Sequence, residues 1–203
     1  MNRRTFTHTG ALGLASAFTG LAHAADDGTI GNMTAAEFKK TNTAAGAKLK
    51  ALKATTTTLS ESDARLMAMV AAGGMMQLEA SKLAVEKATS KDVRVIAEAE
   101  VTEQQGLSAK LKEFATAKQV AAPSEPHKKA AGLLADLQAK NGPDFDRAYL
   151  EASGVKGHEL LQKTMMEVES KATDPDLKAL AATTLPLIAV HLEVSKDEMK
   201  ALS

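Results

Sequence analysis

The sequence predicts an all-α protein in which four long helices form two hairpins joined by a long crossover. The composition is 44% hydrophobic but only 3% aromatic, with no tryptophan and one tyrosine, and such a content favours helices over strands. From residue 60 onward the apolar residues recur at helical spacing. The turns of the two hairpins also carry similar residues, which indicates that the two halves of the chain are related.

The first 24 residues have the features of an export signal. A pair of arginines supplies their only charges, a mildly apolar stretch follows at residues 10–22, and small residues precede a cleavage point after residue 24. The arginine pair resembles a twin-arginine signal, and the general secretory route is the alternative. A membrane anchor is disfavoured because the apolar run is shorter than the ~20 residues that cross a bilayer. The residues that carry this prediction are Arg3, Arg4, Phe6, Ala22 and Ala24.

Charge and cysteine content exclude several classes of function. Without the signal, 23 basic residues remain of the 25, against 25 acidic residues, so the mature domain has no basic footprint for nucleic acid. The absence of cysteine excludes disulfides, thiolate metal sites and a thiol nucleophile. No glycine-rich phosphate loop follows a strand, and no Ser-His-Asp spacing suggests a hydrolase. We therefore expect a periplasmic protein with no transmembrane segment after cleavage.

Residues 25–59 differ from the rest in being rich in threonine, alanine and lysine. Thr34 and Glu37 form a capping box that opens a basic helix, which extends at most to Lys53. Few of its residues can anchor it to a core, so we expect a mobile spacer with a marginal helix. The alternative is contact of residues 34–53 with anionic surface polymers or lipid headgroups in the envelope. The lysines available for that contact are Lys39, Lys40, Lys48, Lys50 and Lys53.

The first hairpin comprises helices at about residues 62–89 and 91–118, and Ser90 caps the second of them. The stripe of the first helix contains Leu66, Val70, Gly73, Met76, Ala80 and Leu83. That of the second contains Val93, Ile96, Glu100, Glu103, Leu107, Leu111 and Phe114. Two acidic residues therefore interrupt an otherwise apolar face.

The second hairpin follows a connection of about 24 residues, which contains a short helix near 127–140 and is long enough to cross the bundle end to end. Its helices span about residues 144–172 and 175–202, with a tight turn before Pro175. Its turn matches that of the first hairpin at an offset of 84 residues. Two hairpins with one crossover are the layout of ferritin-like four-helix bundles, which we take as the expected fold of residues 60–203. A plain up-and-down bundle is the alternative.

Several short motifs occur in order along residues 62–202. They are Ala71-Ala72-Gly73-Gly74-Met75, the stretch from Glu79 to Ala84, the stretch from Phe145 to Leu150, Thr184-Leu185-Pro186, and His191-Leu192. In this order they resemble the exported bacterial family catalogued as domain of unknown function 4142 (DUF4142), which is placed in the ferritin-like superfamily. The resemblance implies a fold and a compartment, because the family has no settled activity. Where its members commonly carry a histidine on the second helix, this chain has Gln104, so one nitrogen ligand is missing.

Four polar residues are the candidate metal ligands: Glu79, Glu100, His158 and His191. Ferritin-like di-iron proteins use two Glu-x-x-His motifs, and their absence from this sequence excludes a standard di-iron centre. His158 lies on the apolar stripe of Leu150, Gly154, Leu161, Met165 and Val168, and His191 lies on that of Leu177, Leu180, Thr184, Leu187 and Val194. The two histidines are about 15 and 18 residues from the turn near residue 173, a difference in height of only ~5 Å. Glu79 and Glu100 are each about ten residues from the turn near residue 90, so they also share one level.

These four residues allow three interpretations. They can form a hydrogen-bonded polar layer that fixes the register of the helices, because buried polar groups need partners. They can instead bind one Zn²⁺, Fe²⁺ or Mn²⁺ ion, or they can border a heme or other small-molecule pocket. We expect a non-catalytic binding or envelope-maintenance module in the periplasm. The alternative is a metal-binding relative with an oxidase or storage role, and the sequence leaves the ligand and the partner open.

Overall fold

The computed structural model describes residues 28–121 and 128–202. Most of them are helical, which confirms the prediction of an all-α protein. The elements are β1 (Thr29–Ile30), β2 (Met33–Thr34), α1 (Ala35–Ala51), α2 (Glu61–Lys87), α3 (Lys91–Ala117), α4 (Lys128–Gln138), α5 (Gly142–Tyr149), a π-helical segment (Leu150–Val155), α6 (Lys156–Lys171) and α7 (Pro175–Ala201). The signal peptide predicted from Arg3, Arg4, Phe6, Ala22 and Ala24 lies outside the described residues and stays a prediction.

Side chains at the N-termini fix where the long helices begin. Ser60 and Ser90 each accept the backbone N–H three residues further along. Asp174 accepts two backbone N–H groups, and Pro175 occupies the first helical position. These acceptors satisfy donors that have no partner within the helix. The predicted ends of the four long helical stretches are therefore correct to within two residues.

Contacts at the two ends of the protein define the direction of each hairpin. At one end, Lys118 follows α3 and pairs with Asp174, just before α7, at 2.7 Å between Nζ and Oδ2. At the other end, Asp146 of α5 accepts hydrogen bonds from Thr89 and Ser90, between α2 and α3. Residues 118–141 therefore connect opposite ends, as the sequence predicts. As a result, α3 and α6 run parallel, whereas α2 packs antiparallel to α6 and α3 antiparallel to α7.

Each hairpin supplies an aspartate that binds the turn of the other. Asp63 of α2 accepts the N–H and hydroxyl of Thr173, and Asp146 accepts the same two groups of Thr89. The threonines are 84 residues apart (89 to 173), but the aspartates are 83 apart (63 to 146). The extra residue is accounted for by the intervening π-helical segment, since its backbone bonds span five residues instead of four.

The apolar stripes predicted for three of the long helices are confirmed. The whole predicted stripe of α3 is buried, including its two glutamates. The same holds for α7 and for the helix formed by the π-helical segment and α6. The buried residues of these last two stripes are Leu150, Gly154, His158, Leu161, Met165 and Val168, and Leu177, Leu180, Thr184, Leu187, His191 and Val194.

The inward face of α2 differs from the prediction in its second half. The expected stripe passes through Met76 and Leu83, which are only partly buried, whereas Gln77 and Ala84 are fully enclosed. Gln77 turns inward because its side-chain amide bonds to Ser153 on the opposing helix. A polar residue therefore occupies a core position. The apolar residues of this half of α2 lie one residue before the buried positions, so apolar periodicity predicts the wrong face.

The described part of residues 25–59 is not the mobile spacer that the sequence predicts. The capping box of Thr34 and Glu37 is formed as expected, but α1 packs against α3 and α7. Phe38 and Leu49, which are 1% and 5% exposed, anchor it at positions three turns apart. Two large apolar residues in 17 give a weak periodic signal, so the spacer interpretation was wrong for this helix.

The threonines after α1 are also held in place. Lys118 is buried and pairs with both Asp174 and Asp176 at 2.7 Å. The Thr57 hydroxyl donates to Asp174, and the Thr55 N–H and hydroxyl donate to Asp176. Because a buried ion pair needs further hydrogen bonds to offset its desolvation, this threonine-rich run completes one end of the protein.

Within the described residues, only α7 has the length and composition of a membrane-crossing helix. Half of its most apolar window is buried inside the protein. It packs against α6, the π-helical segment, α1 and α3. In this structure α7 is therefore a core helix.

Candidate functional site

The Glu100 carboxylate is the centre of a buried polar cluster. Its Oε2 lies 3.1 Å from Nε2 of His158 and 2.9 Å from Nδ1 of His191. Its Oε1 accepts a hydrogen bond of 2.9 Å from the side-chain amide of Gln104, one turn further along α3. Three helices thus direct one carboxylate and two imidazoles to a single point, and the two ring centres are 5.4 Å apart.

The outer nitrogen of each imidazole has a partner of its own. Nδ1 of His158 donates to the Ser153 carbonyl over 3.0 Å, and Nε2 of His191 donates to Oδ1 of Asn42 over 2.8 Å. The orientation of the Asn42 amide is fixed because its nitrogen donates to the Phe38 carbonyl. Both rings are therefore held so that their inner nitrogens face Glu100, the arrangement in which outer partners orient metal-binding histidines.

Burial and the paired charges perturb the cluster strongly. Glu100, His158 and His191 are all at most 1% exposed. Burial acts to raise the pKa of Glu100, but the charge of His158 and the hydrogen bonds from both imidazoles hold it well below its usual range. Burial acts to lower the pKa of His158, but the charge and hydrogen bond of Glu100 raise it to about 9. The cluster thus holds a carboxylate next to a protonated imidazole.

Glu103 provides a second carboxylate beside the cluster. Its Oε2 is 3.6 Å from Nδ1 of His191 and is buried without a hydrogen-bond partner among the described residues. Burial, and then the negative charge of Glu100, raise the pKa of Glu103 to about 7. Leaving such an oxygen unpaired costs about 1–3 kcal/mol. The sequence places Glu103 on the inward stripe but does not assign it to the site.

Glu79 does not belong to the cluster, contrary to the prediction. Its side chain is 43% exposed and pairs with Lys82 on the same helix at 2.8 Å. Gln77 faces inward from α2 instead, and two residues separate it from Glu79 by ~200° around the helix axis. The rotation of α2 therefore differs from the one that the sequence predicts.

The π-helical segment and its neighbours complete the wall of the cluster. The Ser153 carbonyl accepts bonds from His158 and from the Gln77 amide, and the Ser153 hydroxyl donates to Gln77 Oε1. A Cβ on Gly157 would lie 2.5 Å from that same oxygen. Gln77, Ser153 and Asn42 were not identified from the sequence. Only the serine and the two glycines at residues 153–157, which are weak helix formers, hint at an unusual segment there.

The arrangement has the donor set of a metal site. One atom each from Glu100, His158 and His191 lie within 4.8 Å of one another, and a divalent ion bound at about 2.0–2.2 Å keeps its ligand atoms roughly 3–3.5 Å apart. Glu103 is not part of this group of three, but its unpaired Oε2 lies 3.6 Å from Nδ1 of His191. A di-iron centre does not fit, because the only carboxylates seen at these imidazoles in the described residues are Glu100 and Glu103.

Comparison with known proteins gives one match. The sequence model of a family described as "Domain of unknown function (DUF4142)" matches residues 34–197. Neither the curated proteins nor the solved structures gave a match to the chain. The match covers α1 through most of α7, so the polar cluster lies wholly inside it.

Proposed function

The chain belongs to the DUF4142 family, because the family match covers residues 34–197 of 203. We propose that it is an exported, ferritin-like protein that binds one divalent metal ion through Glu100, His158 and His191. The convergence of these three donors at one buried point is the observation that carries the proposal. The outer nitrogen of each imidazole is held by a hydrogen bond, to the Ser153 carbonyl or to Asn42. A hydrogen-bonded polar layer alone does not explain why an oxygen of Glu103 is buried without a partner among the described residues.

The donor set suits Zn²⁺, Fe²⁺ or Mn²⁺. Imidazole nitrogens with carboxylate oxygens are common ligands of these three ions. All candidate ligands are buried, and the unpaired carboxylate oxygen of Glu103 lies beside them, whereas a catalytic site keeps a position open for substrate or water. The proposed role is therefore binding or storage of the ion without catalysis. This is the non-catalytic binding module expected from the sequence, with a metal ion as its ligand.

The helix directions support a ferritin-like fold. Two antiparallel hairpins, joined by a crossover that makes the second and third long helices parallel, correspond to the one-crossover class of bundles. The close pairing of α2 with α3 and of α6 with α7 fits this class. The export part of the proposal depends on the arginine pair and the apolar stretch at the N-terminus.

The test is metal analysis of untagged protein purified from the periplasm. We expect about one equivalent of metal per chain. After removal with a chelator, adding back an ion at about 100 times its Kd should stabilise the protein by about 2.7 kcal/mol, which raises Tm by roughly 5–10 °C for a domain of this size. Changing His158→Ala or His191→Ala should abolish most of this shift, and Glu103→Gln should weaken binding.

Glu79→Gln is the matched control, because Glu79 is a glutamate of a neighbouring helix outside the cluster. It should bind metal as the wild type does. If the metal-free wild type shows no shift with any of the three ions while both histidine variants lose stability, the cluster is a structural polar layer and the metal proposal fails. Protein found only in the cytoplasm would contradict the export part alone.

A further inference from the structure

A long apolar cleft lies beside the polar cluster, between α1 and α3, with α7 along its side. Its volume is about 1470 Å³. It stays open because the facing side chains are short, with Ala45 and Gly46 on α1 and Ala99, Gly106 and Ala109 on α3. Two helices that meet through such residues leave a trough whose floor is formed by larger apolar groups such as Phe38 and Leu49.

The dimensions of the cleft favour an extended ligand. Its lining runs along α1 from Ala35 to Ala51, a distance of ~24 Å at 1.5 Å per residue, and continues to Lys53 beyond the helix. Compact small-molecule sites are usually about 300–1,000 Å³, so the cleft is longer and larger than such a ligand needs. A single hydrocarbon chain can fill it lengthwise, and each buried CH₂ group contributes about 0.8 kcal/mol.

The charges differ between the two ends of the cleft. At the N-terminal end of α1, exposed Lys39 is balanced by exposed Glu98 on α3. At the other end, Lys50 and Lys53 are exposed on the rim. Glu113, an acidic residue that lines this end, is already paired with Lys110 at 2.6 Å. The cleft therefore has one positive end and one nearly neutral end.

We propose that this cleft binds the anion of a long-chain fatty acid, with its carboxylate at Lys50 and Lys53 and its chain along Gly106 and Ala99 toward Phe38. The three metal-binding side chains Glu100, His158 and His191 do not line the cleft, whereas Asn42 and Glu103 beside the cluster do. The two proposals are therefore separated by testing fatty-acid binding without metal. Such binding also gives α1 a role beyond covering the core, because α1 supplies one side of the cleft.

The test is displacement of the fluorescent fatty acid cis-parinaric acid by palmitate, carried out with excess chelator so that metal plays no part. Gly46→Leu should weaken binding of the probe at least tenfold, because it fills the cleft from α1. A Cβ at Gly46 meets nothing within 4 Å, and leucine is a better helix former than glycine, so the variant should fold. Gly132→Leu on α4 is the matched control, since Gly132 is also an open helical glycine, and it should bind as the wild type does.

The position of the carboxylate is tested separately. Replacing Lys50→Glu and Lys53→Glu together should weaken palmitate binding at least tenfold, while hexadecylamine should compete poorly with the probe in the wild type. Absence of probe binding, equal weakening by Gly132→Leu, or displacement by hexadecylamine as effective as by palmitate would each overturn the proposal. So would a stable dimer that closes the cleft, seen by sedimentation, or binding of anionic phospholipid vesicles that Gly46→Leu leaves unchanged.

Discussion

Glycine residues determine how closely the polar side chains pack around Glu100. A Cβ on Gly74 would lie 2.7 Å from Oε1 of Gln104, and one on Gly157 would lie 2.5 Å from Oε1 of Gln77. These glycines therefore leave room for amide side chains of the opposing helices. In α2, Gly74 does so within an unbroken helix.

Gly157→Ala should destabilise the protein by about 1–3 kcal/mol, because overpacking displaces Gln77 from Ser153 and His158. Gly106→Ala is the control, since its Cβ would make only an ordinary contact of 3.5 Å with Leu49. That change should be neutral or stabilise by up to about 1 kcal/mol through helix propensity. Urea denaturation of both variants measures the difference. Equal effects of the two alanines would mean that Gln77 is free to move aside.

At the scale of single elements, α1 is attached through few side chains. Phe38 packs its ring 5.2 Å from that of His191, and Asn42 bonds the same imidazole. Leu49 adds the second apolar anchor. Most other residues of α1 are exposed or partly exposed, so the helix contributes little of its own to the core while it covers His191.

Phe38→Ala should lower the free energy of opening α1 by about 3–5 kcal/mol, the usual cost of removing a buried phenyl ring. Hydrogen exchange should then be faster at the amides of α1 and nearly unchanged in α3 around Leu111. Lys40→Ala, on the exposed side of the same helix, should change exchange little. Unaltered protection of α1 in the Phe38 variant would show that the helix is held by other contacts.

At the scale of the whole molecule, the two hairpins are tied together at both ends. Asp63 and Asp146 each bind the turn of the opposite hairpin. The Lys118 pairs with Asp174 and Asp176 add a buried ionic contact at one of these ends. Because each tie joins residues far apart in sequence, they oppose separation of the hairpins as units.

Asp63→Asn should destabilise the protein by about 1–3 kcal/mol at neutral pH. Burial acts to raise the pKa of Asp63, but the hydrogen bonds from Thr173 outweigh it and lower the pKa below 3.8. The carboxylate therefore stabilises the fold fully above pH ~4 and loses this effect as pH falls through the folded pKa. The difference from wild type should be constant between about pH 5 and 8 and shrink below about pH 4.

Denaturation at pH 7, 5 and 3 measures this difference. Glu61→Gln is the control, because Glu61 is an exposed acid of the same turn that pairs only with Arg65 on the surface in the described structure. It should change stability by no more than about 0.5 kcal/mol. A loss in Asp63→Asn that is as large at pH 3 as at pH 7 would show that packing, and not the ionised carboxylate, is responsible.

The helices, their ends, the two hairpins and the inward faces of α3, α6 and α7 can be predicted from the sequence, because caps and apolar periodicity act over a few residues. The sequence also identifies Glu100, His158 and His191, which are polar residues on those faces. Contacts between helices, which the sequence does not reveal, pack α1 on the core and bring Gln77, Asn42 and Glu103 to the border of the site in place of Glu79. The physical reason is the rotation of each helix about its axis. An error of one residue in the predicted inward position turns a side chain by ~100°, and contacts between helices fix that rotation.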